Sequence, residues 1–153
     1  MPKTLSVAAI KDGTVIDHIP CGVAIIILQL LKLMDKRHRV YMGLNLSSTS
    51  MGYKDLIKIE GRFLTEKEAQ DIAVFAPQSS INIIKNYKLV SKIKAKLPLC
   101  VERILVCPNE RCITSCEPIS TLFYVEELKN QVHLKCHFCE KVFARHEIRD
   151  YQP

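Results

Sequence analysis

Five cysteines in the last third of the chain constrain its fold more than any other feature. Three lie within ten residues, at Cys107, Cys112 and Cys116, and a CxxC pair follows at Cys136 and Cys139. Two close cysteine pairs that are well separated along a chain are typical of tetrahedral metal sites. A segment as short as residues 97–153 buries little apolar surface, so a bound metal would supply much of its stability.

Only four of these five cysteines are needed, and the choice concerns the first pair. Cys107 is followed by Pro108-Asn109, which favours a turn on which a ligand can lie. The alternative pair, Cys112 with Cys116, could span one helical turn, but the surrounding sequence ITSCEP has no helical pattern. We therefore predict that Cys116 is a spare thiol and that the ligands are Cys107, Cys112, Cys136 and Cys139.

Zinc is the expected ion, one per chain, because Zn²⁺ is commonly held by four thiolates in structural sites. Iron in a rubredoxin-like centre is the alternative, which the four residues between Cys107 and Cys112 disfavour. His133 and His137 are possible substitute ligands, although four thiols are already present. Because four cysteines leave no open position for a catalytic water, we expect the site to stabilise the domain rather than to catalyse a reaction.

The number of cysteines, the N-terminal sequence and the longest apolar run indicate the cellular compartment. Seven cysteines, an odd number, are poorly explained by complete disulfide pairing and are better explained as metal ligands in a reducing compartment. The N-terminus does not have the pattern of a signal peptide, and Gln29 and Lys32 interrupt the longest apolar run. We expect a cytoplasmic protein, in which Cys21 and Cys100 have no assigned role.

The charge is distributed unevenly between two parts of the chain. Residues 1–96 hold 15 Lys and Arg against 8 Asp and Glu, a formal net charge of +7, and residues 97–153 hold 7 against 8, a net charge of −1. The basic, Pro-containing stretch Lys92–Leu99 is a candidate linker between them. We predict two domains, residues 1–96 and residues 97–153, of which the first favours anionic partners such as phosphates.

The hydrophobic pattern of the first part alternates between strands and helices. The predicted elements are a strand pair at Leu5–Ile10 and Thr14–Ile19, a helix from Pro20 to about Met34, strands at Val40–Leu46 and Asp55–Arg62, a helix that starts with the capping box of Thr65 and ends before Pro77, and a strand pair at Ser80–Ile84 and Tyr87–Ser91. This order predicts an α+β fold, the ferredoxin-like βαββαβ sandwich, with both helices on one face of an antiparallel sheet.

Two further patterns complete the fold prediction. The first helix is apolar on almost every side, so it is either a deeply buried core helix or a subunit contact. Short strands are predicted in the cysteine-rich part at Arg103–Val106, Ser120–Glu126, Val132–Lys135 and Val142–Ala144. They indicate a small all-β zinc-binding domain of the rubredoxin-like or zinc-ribbon type.

A basic face is predicted on the first sheet, because Lys54 and Lys58 share one side of a strand. Together with Asp17 and His18, and with the lysines that follow the last strand, they could hold a phosphorylated ribose. Solvated surface lysines are the simpler explanation of the same pattern. The sequence has no Walker or GxGxxG loop, no nucleophile elbow and no HExxH motif, so it predicts no catalytic site.

Several ordered motifs resemble one known family, the regulatory chain of aspartate carbamoyltransferase. They are GTVIDHIP (Gly13–Pro20), GLNL (Gly43–Leu46), MGYKDLIKIE (Met51–Glu60), FAPQSSIN (Phe75–Asn82) and NYKLV (Asn86–Val90), followed by LVCPNERCI and LKCHFCEKVF. The resemblance implies a non-catalytic subunit in pyrimidine biosynthesis. Its first domain would bind CTP, UTP or ATP, and its zinc domain would contact the catalytic chain. Regulatory homodimers would bridge catalytic trimers.

The resemblance also implies roles for particular residues. Asp17 and Lys58 would contact the ribose, and Lys92, with His18 and Lys54, the phosphates. Base and sugar would be surrounded by Ala9, Ile10, Asn82, Ile84, Tyr87 and Leu89. Contacts to the catalytic chain would come from Asn109, Arg111 and Glu140.

The chain departs from the family pattern at two places in the zinc domain. Arg111 stands where Asn is frequent, and Glu126-Glu127-Leu128 stands where basic residues are common. A second hypothesis needs no such partner: a zinc-ribbon protein that binds nucleic acid through its basic first domain. The acidic second domain, which lacks interleaved aromatic and Arg residues, disfavours it.

Overall fold

The computed structural model describes residues 7–34, 37–94 and 96–148. The chain separates into two compact units, Met1–Lys96 and Leu97–Pro153, and each contains its own antiparallel sheet. Among the helices of the described ranges, none is long and apolar enough to cross a membrane.

The first unit is a five-stranded sheet with the strand order β2-β3-β1-β4-β5 and two helices. Its elements are β1 (Gly13–Ile19), α1 (Ala24–Leu30), β2 (Val40–Ser48), β3 (Gly52–Glu60), α2 (Glu66–Phe75), β4 (Ser80–Lys85) and β5 (Lys88–Ile93). The elements β1, α1, β2, β3, α2 and β4 follow one another in the predicted βαββαβ order. Strand β5 pairs with β4 and forms an additional edge strand. The α+β prediction is therefore confirmed.

The segment before β1 is predicted from the sequence as a strand, and this is wrong for its described residues. Residues 7–12 have no ladder partner. They are fixed by isolated hydrogen bonds instead: Lys11 O accepts the backbone N–H of Tyr87, and Asp12 O accepts that of Gly61. Residues 5 and 6 of the predicted strand lie outside the described ranges.

Helix α1 is shorter than the sequence predicts. It begins four residues after Pro20, since Val23 N–H donates to Pro20 O in a separate turn. It ends at Leu30 because Lys32 adopts a left-handed conformation, with φ of 52°, that a helix cannot continue through. The prediction that the helix extends to Met34 is therefore wrong.

Two local predictions are confirmed. Thr65 and Glu68 form the reciprocal capping box that starts α2. Asn86 and Tyr87, with φ of 51° and 64°, make the tight turn that joins β4 to β5, as expected for a two-residue hairpin. β5 continues through Ile93, into the stretch interpreted above as a linker.

The core of the first unit lies between one face of the sheet and both helices. Ile16, Ile57 and Ile81 are paired across β1, β3 and β4 and are completely buried. Ala24 and Ile27 of α1 and Ile72 of α2 belong to the same cluster. The opposite face of the sheet is therefore not covered by these two helices.

The second unit is a four-stranded sheet in the order β6-β7-β8-β9. Its elements are β6 (Cys100–Glu102), α3 (Ile113–Cys116), β7 (Leu122–Leu128), β8 (Gln131–Cys136) and β9 (Val142–Ala144), followed by a short 3₁₀ helix at Arg145–Glu147. Phe123, Leu134 and Leu105 are completely buried in its core. This is the predicted small all-β domain.

Two predictions in the second unit are wrong. The first strand is not Arg103–Val106, because Arg103 has a left-handed φ of 64° that ends β6 at Glu102. The residues after Cys112 do form a helix, α3, although the sequence shows no helical pattern there. At four residues, α3 is too short to carry a periodic pattern.

Candidate metal centre and basic cavity

Four cysteine sulfurs converge in the second unit. The Sγ atoms of Cys107, Cys112, Cys136 and Cys139 all lie within 4.8 Å of one another. The distances Cys107–Cys139 and Cys112–Cys136 are both 3.8 Å, far longer than the roughly 2.05 Å of a disulfide. Ligands about 2.3 Å from a tetrahedral metal ion are about 3.8 Å apart. The four sulfurs therefore suit a single tetrahedral ion.

Two turns present these sulfurs. The first turn lies between Cys107 and α3, and in it the backbone N–H of Cys112 donates to Asn109 O. In the second, the N–H of Glu140 donates to Cys136 O, and Glu140 has a left-handed φ of 61°. Each turn thus brings two thiols to one point, as in paired-cysteine metal sites.

The protein environment opposes ionisation of some of these thiols. Burial raises the pKa of Cys107 and of Cys136 above the usual value. Burial also acts on Cys139, but hydrogen bonds from the backbone of Lys141 and from the side chain of Asn109 outweigh it and lower its pKa to about 7. A cation at the centre would favour the thiolate form of all four.

The other predicted or possible ligands lie outside this cluster. Cys116 is exposed at the end of α3. His137 Nδ1 is 2.6 Å from the hydroxyl of Tyr124. His133 is on β8, and its buried Nδ1 has no hydrogen-bond partner among the described residues. The structure therefore brings together the four cysteines chosen from spacing and leaves out Cys116 and both histidines.

A cavity of about 590 Å³ opens on the first sheet. Lys54, Lys58 and Asp17 contribute its charged groups, and Lys54 Nζ is 2.9 Å from Asp17 Oδ1. Its other lining residues are Val7, Val15, Asn45, Leu46, Ser47 and Leu56. The cavity is therefore basic, with one carboxylate inside it.

The strand register extends this polar surface across four strands. Val15 of β1 pairs with Lys58 of β3 on one side and with Asn82 of β4 on the other, and Asn82 pairs with Lys92 of β5. Paired residues point to the same face of a sheet. Because Ile16, next to Val15, faces the helices, this row lies on the opposite face. We call these four residues the basic row.

The remaining residues that the resemblance singles out lie at two places. His18 is in a bulge of β1, with φ of 58°, and its Nδ1 is 3.3 Å from Ser80 Oγ. Ile84 and Leu89 are paired close to the β4–β5 turn that contains Tyr87, and this turn is hydrogen-bonded to the segment that follows Ala9 and Ile10. Ile10 is buried, whereas Ala9 is exposed.

Six of the nine cavity residues are not predicted as site residues from the sequence, and three of these six, Asn45, Leu46 and Ser47, are consecutive in the chain. They lie in β2 beyond a register shift, and Asn45 has a left-handed φ of 56°. Strand periodicity does not reveal such a shift. The motif GLNL contains two of these residues, but it indicates a family resemblance and not a site.

Opposing effects set the charges in the cavity. Burial favours the neutral form of Asp17, but hydrogen bonds from Lys54 and the backbone of His18, together with the charge of Lys54, outweigh it and lower the pKa of Asp17. Burial lowers the pKa of Lys58, an effect that the negative charge of Asp17 partly offsets. Lys58 Nζ donates to the carbonyl oxygens of Val7 and Ala8, at 3.0 and 2.9 Å.

Comparison with known proteins connects both sites to one family. Residues 5–96 match the sequence model of the aspartate carbamoyltransferase regulatory chain, allosteric domain, and residues 100–149 match that of its metal binding domain. The basic cavity lies in the first range and the four cysteines in the second.

Relatives match over nearly the whole length. The aspartate carbamoyltransferase regulatory chain of Chromobacterium violaceum is 50% identical over 145 residues, 95% of both chains. Those of Vibrio campbellii and Cronobacter sakazakii are 46% and 49% identical, over 95% and 94% of both chains. The chain therefore belongs to the aspartate carbamoyltransferase regulatory chain family, as a non-catalytic subunit with an allosteric domain and a metal-binding domain.

Proposed function

We propose that the allosteric domain, residues 1–96, binds CTP, UTP and ATP, and that the metal-binding domain, residues 97–153, holds one zinc ion and contacts the catalytic chain. The observation that carries the nucleotide proposal is the basic row beside the Lys54–Asp17 pair. Ammonium groups and one carboxylate on a single face are complementary to triphosphate and ribose.

Each group in this surface has a proposed part. Asp17, ionised because its pKa is lowered, accepts hydrogen bonds from ribose hydroxyls, and Lys58 donates to the same ribose. Lys92, with Lys54 and His18, contacts the phosphates. The base and sugar lie against Asn82, Ile84 and the backbone near the hairpin turn, with Ala9, Ile10, Tyr87 and Leu89.

Coupling to activity follows from binding energy. A nucleotide shifts the enzyme between two quaternary states only by the difference of its affinities for them. We propose that CTP, alone or with UTP, binds the low-activity state more tightly, and that ATP favours the high-activity state. The complex then provides feedback control of pyrimidine biosynthesis.

Zinc would serve assembly. The four-sulfur cluster leaves no position for a reacting water when an ion is bound, so its contribution is the stability of the domain. The turns that hold the sulfurs also carry Asn109, Arg111 and Glu140, which we propose as contacts to the catalytic chain. Regulatory chains would pair as homodimers, for which α1, with Ile25 51% exposed, is a candidate surface.

Calorimetric titration of the purified chain with CTP and ATP tests the nucleotide proposal. Lys92→Ala and Lys58→Ala should each weaken binding by about tenfold, as expected for the loss of one charge-assisted hydrogen bond. Lys67→Ala is the matched control, because Lys67 is an exposed lysine of α2, on the other face of the sheet. Wild-type affinity in both row variants would contradict the proposed site.

Assembly is tested by mixing the chain with its catalytic subunit, with and without zinc, and following native mass together with the response of activity to CTP and ATP. Zinc-dependent assembly with opposite nucleotide effects is expected. Steep salt-dependent binding of DNA in place of nucleotide binding would instead favour the zinc-ribbon nucleic-acid hypothesis.

A further inference from the structure

The hydroxyl group of Thr114 is directed at one of the metal-centre sulfurs. Thr114 Oγ1 lies 3.1 Å from Cys112 Sγ, and Cys112 is only 1% exposed. A hydroxyl donates its proton to sulfur in such a contact, because a thiolate has no proton to give. Thr114 is therefore a neighbour of the site that is not itself a ligand.

We propose that Thr114 is a positioning residue of the metal centre: its hydroxyl donates to the Cys112 thiolate and holds that sulfur at the position required for tetrahedral binding. The proposal rests on the metal site proposed above. Cys112 precedes α3, and Thr114 is the second residue of that helix. This helix of four residues directs the Thr114 side chain back towards the sulfur of Cys112, the residue that precedes the helix.

A hydrogen bond of this kind matters most when the sulfur is charged. Donation to an anion is about twice as strong as donation between neutral groups. The bond also restricts rotation of the Cys112 side chain, in addition to the packing around this buried residue. Loss of such an outer contact typically weakens metal binding by about 10–100-fold.

The chain offers a control next to Thr114. Ser115 lies in the same helix turn, and its hydroxyl donates to Asn109 O at 3.2 Å rather than to a sulfur. Ser115→Ala therefore removes a hydroxyl from α3 and retains the contact to Cys112. Thr114→Ser retains the hydroxyl and removes only a methyl group.

The experiment measures the Zn²⁺ affinity of the purified full chain by competition with a chromophoric chelator. Wild type, Thr114→Ser and Ser115→Ala should agree within about threefold, and Thr114→Val should bind Zn²⁺ about tenfold more weakly or worse. If Thr114→Val does not fold, Thr114→Ala is compared with Thr114→Ser instead, because these two variants both lack the methyl group and differ only in the hydroxyl. In the Co²⁺-loaded chain, the sulfur-to-metal charge-transfer band of the variant without the hydroxyl should move to lower energy.

The outcomes separate the two proposals. Equal Zn²⁺ affinity of Thr114→Val and wild type overturns the role of Thr114 and leaves the metal site intact. Equal weakening in Thr114→Ser and Thr114→Val also overturns it, because Thr114→Ser retains the hydroxyl and loss of the hydrogen bond would then not explain the lower affinity. Failure of the wild-type chain to bind Zn²⁺ would instead refute the metal site itself.

Discussion

The buried carboxylate of Asp55 accepts the backbone N–H of Asn45 at 3.0 Å, and its other oxygen accepts that of Gly22 at 2.9 Å. Asp55 has no exposed surface. One side chain on β3 thus fixes the irregular part of β2, which lines the basic cavity, and the turn that precedes α1. Three segments of the first unit are therefore joined at this one acceptor.

Replacing Asp55 should therefore damage the first unit. Asp55→Ala leaves two backbone N–H groups without their acceptor, at a cost of about 1–3 kcal/mol for each buried unsatisfied group. Urea unfolding should show this loss. Asp12→Ala is the matched control, since Asp12 also accepts a backbone N–H, that of Asn86 at 3.1 Å, but at an exposed site. Comparable losses in both variants would contradict the buried role of Asp55.

The Lys54–Asp17 pair should make stability depend on pH. The pKa of Asp17 is lowered from its ordinary 3.8, so ionised Asp17 stabilises the folded state. This contribution is fully present above the ordinary pKa and is lost as the pH falls from about 3.8 through the lowered value.

Lys54→Met removes the main partner of Asp17, so its stability should differ most from wild type at neutral pH and least at pH below 3.8. Urea unfolding of both proteins between about pH 2.5 and about pH 7 measures this difference across the titration of the carboxyl group. A stability difference that does not change with pH would show that the pair contributes nothing through ionisation of Asp17.

The cysteine assignment predicts contrasting effects of serine substitution. Cys112→Ser replaces a buried member of the cluster, and should lower the bound zinc and unfold the second unit at a lower denaturant concentration. Cys116→Ser, four residues away and exposed, should behave as wild type. Elemental analysis after gel filtration gives the metal content. A loss of zinc in Cys116→Ser would mean that the first pair is assigned wrongly.

Gly13, the first residue of β1, should not tolerate a side chain. It has φ of 148°, and an added Cβ would lie 2.0 Å from Ile59 O in the neighbouring strand. Because β1 pairs on both sides, Gly13→Ala should cost more than about 2 kcal/mol. Gly22→Ala, with φ of 89° but open space around it, should lose only about 1–2 kcal/mol. Thermal unfolding of both variants compares the stability lost through a steric clash with the stability lost through backbone strain alone.

The features that were predictable from the sequence are those with a local or periodic cause. The capping box of Thr65 and Glu68 is a four-residue signal, and the Asn86 turn is fixed by two residues. The cysteine spacing likewise narrows the possible metal ligands to the CxxC pair and two alternatives for the other pair. In each case the pattern that permits the prediction lies within a few neighbouring residues.

The errors have a different origin. Lys32 and Arg103 end a helix and a strand through left-handed backbone conformations that neither residue type favours. Asn45 reaches the cavity through a shift in strand register, held by Asp55 from another strand. Tertiary contacts select these conformations, so a pattern along the chain does not reveal them.

Strand β5 forms one edge of the first sheet, and it carries the exposed residues Lys88 and Lys92 on either side of a register irregularity. Edge lysines and bulges are the means by which sheets resist pairing with other chains. The opposite edge, β2, has no charged residue from Val40 to Ser48. The lysine proposed to recognise phosphate thus also opposes aggregation, so its substitution should be followed by light scattering as well as by nucleotide titration.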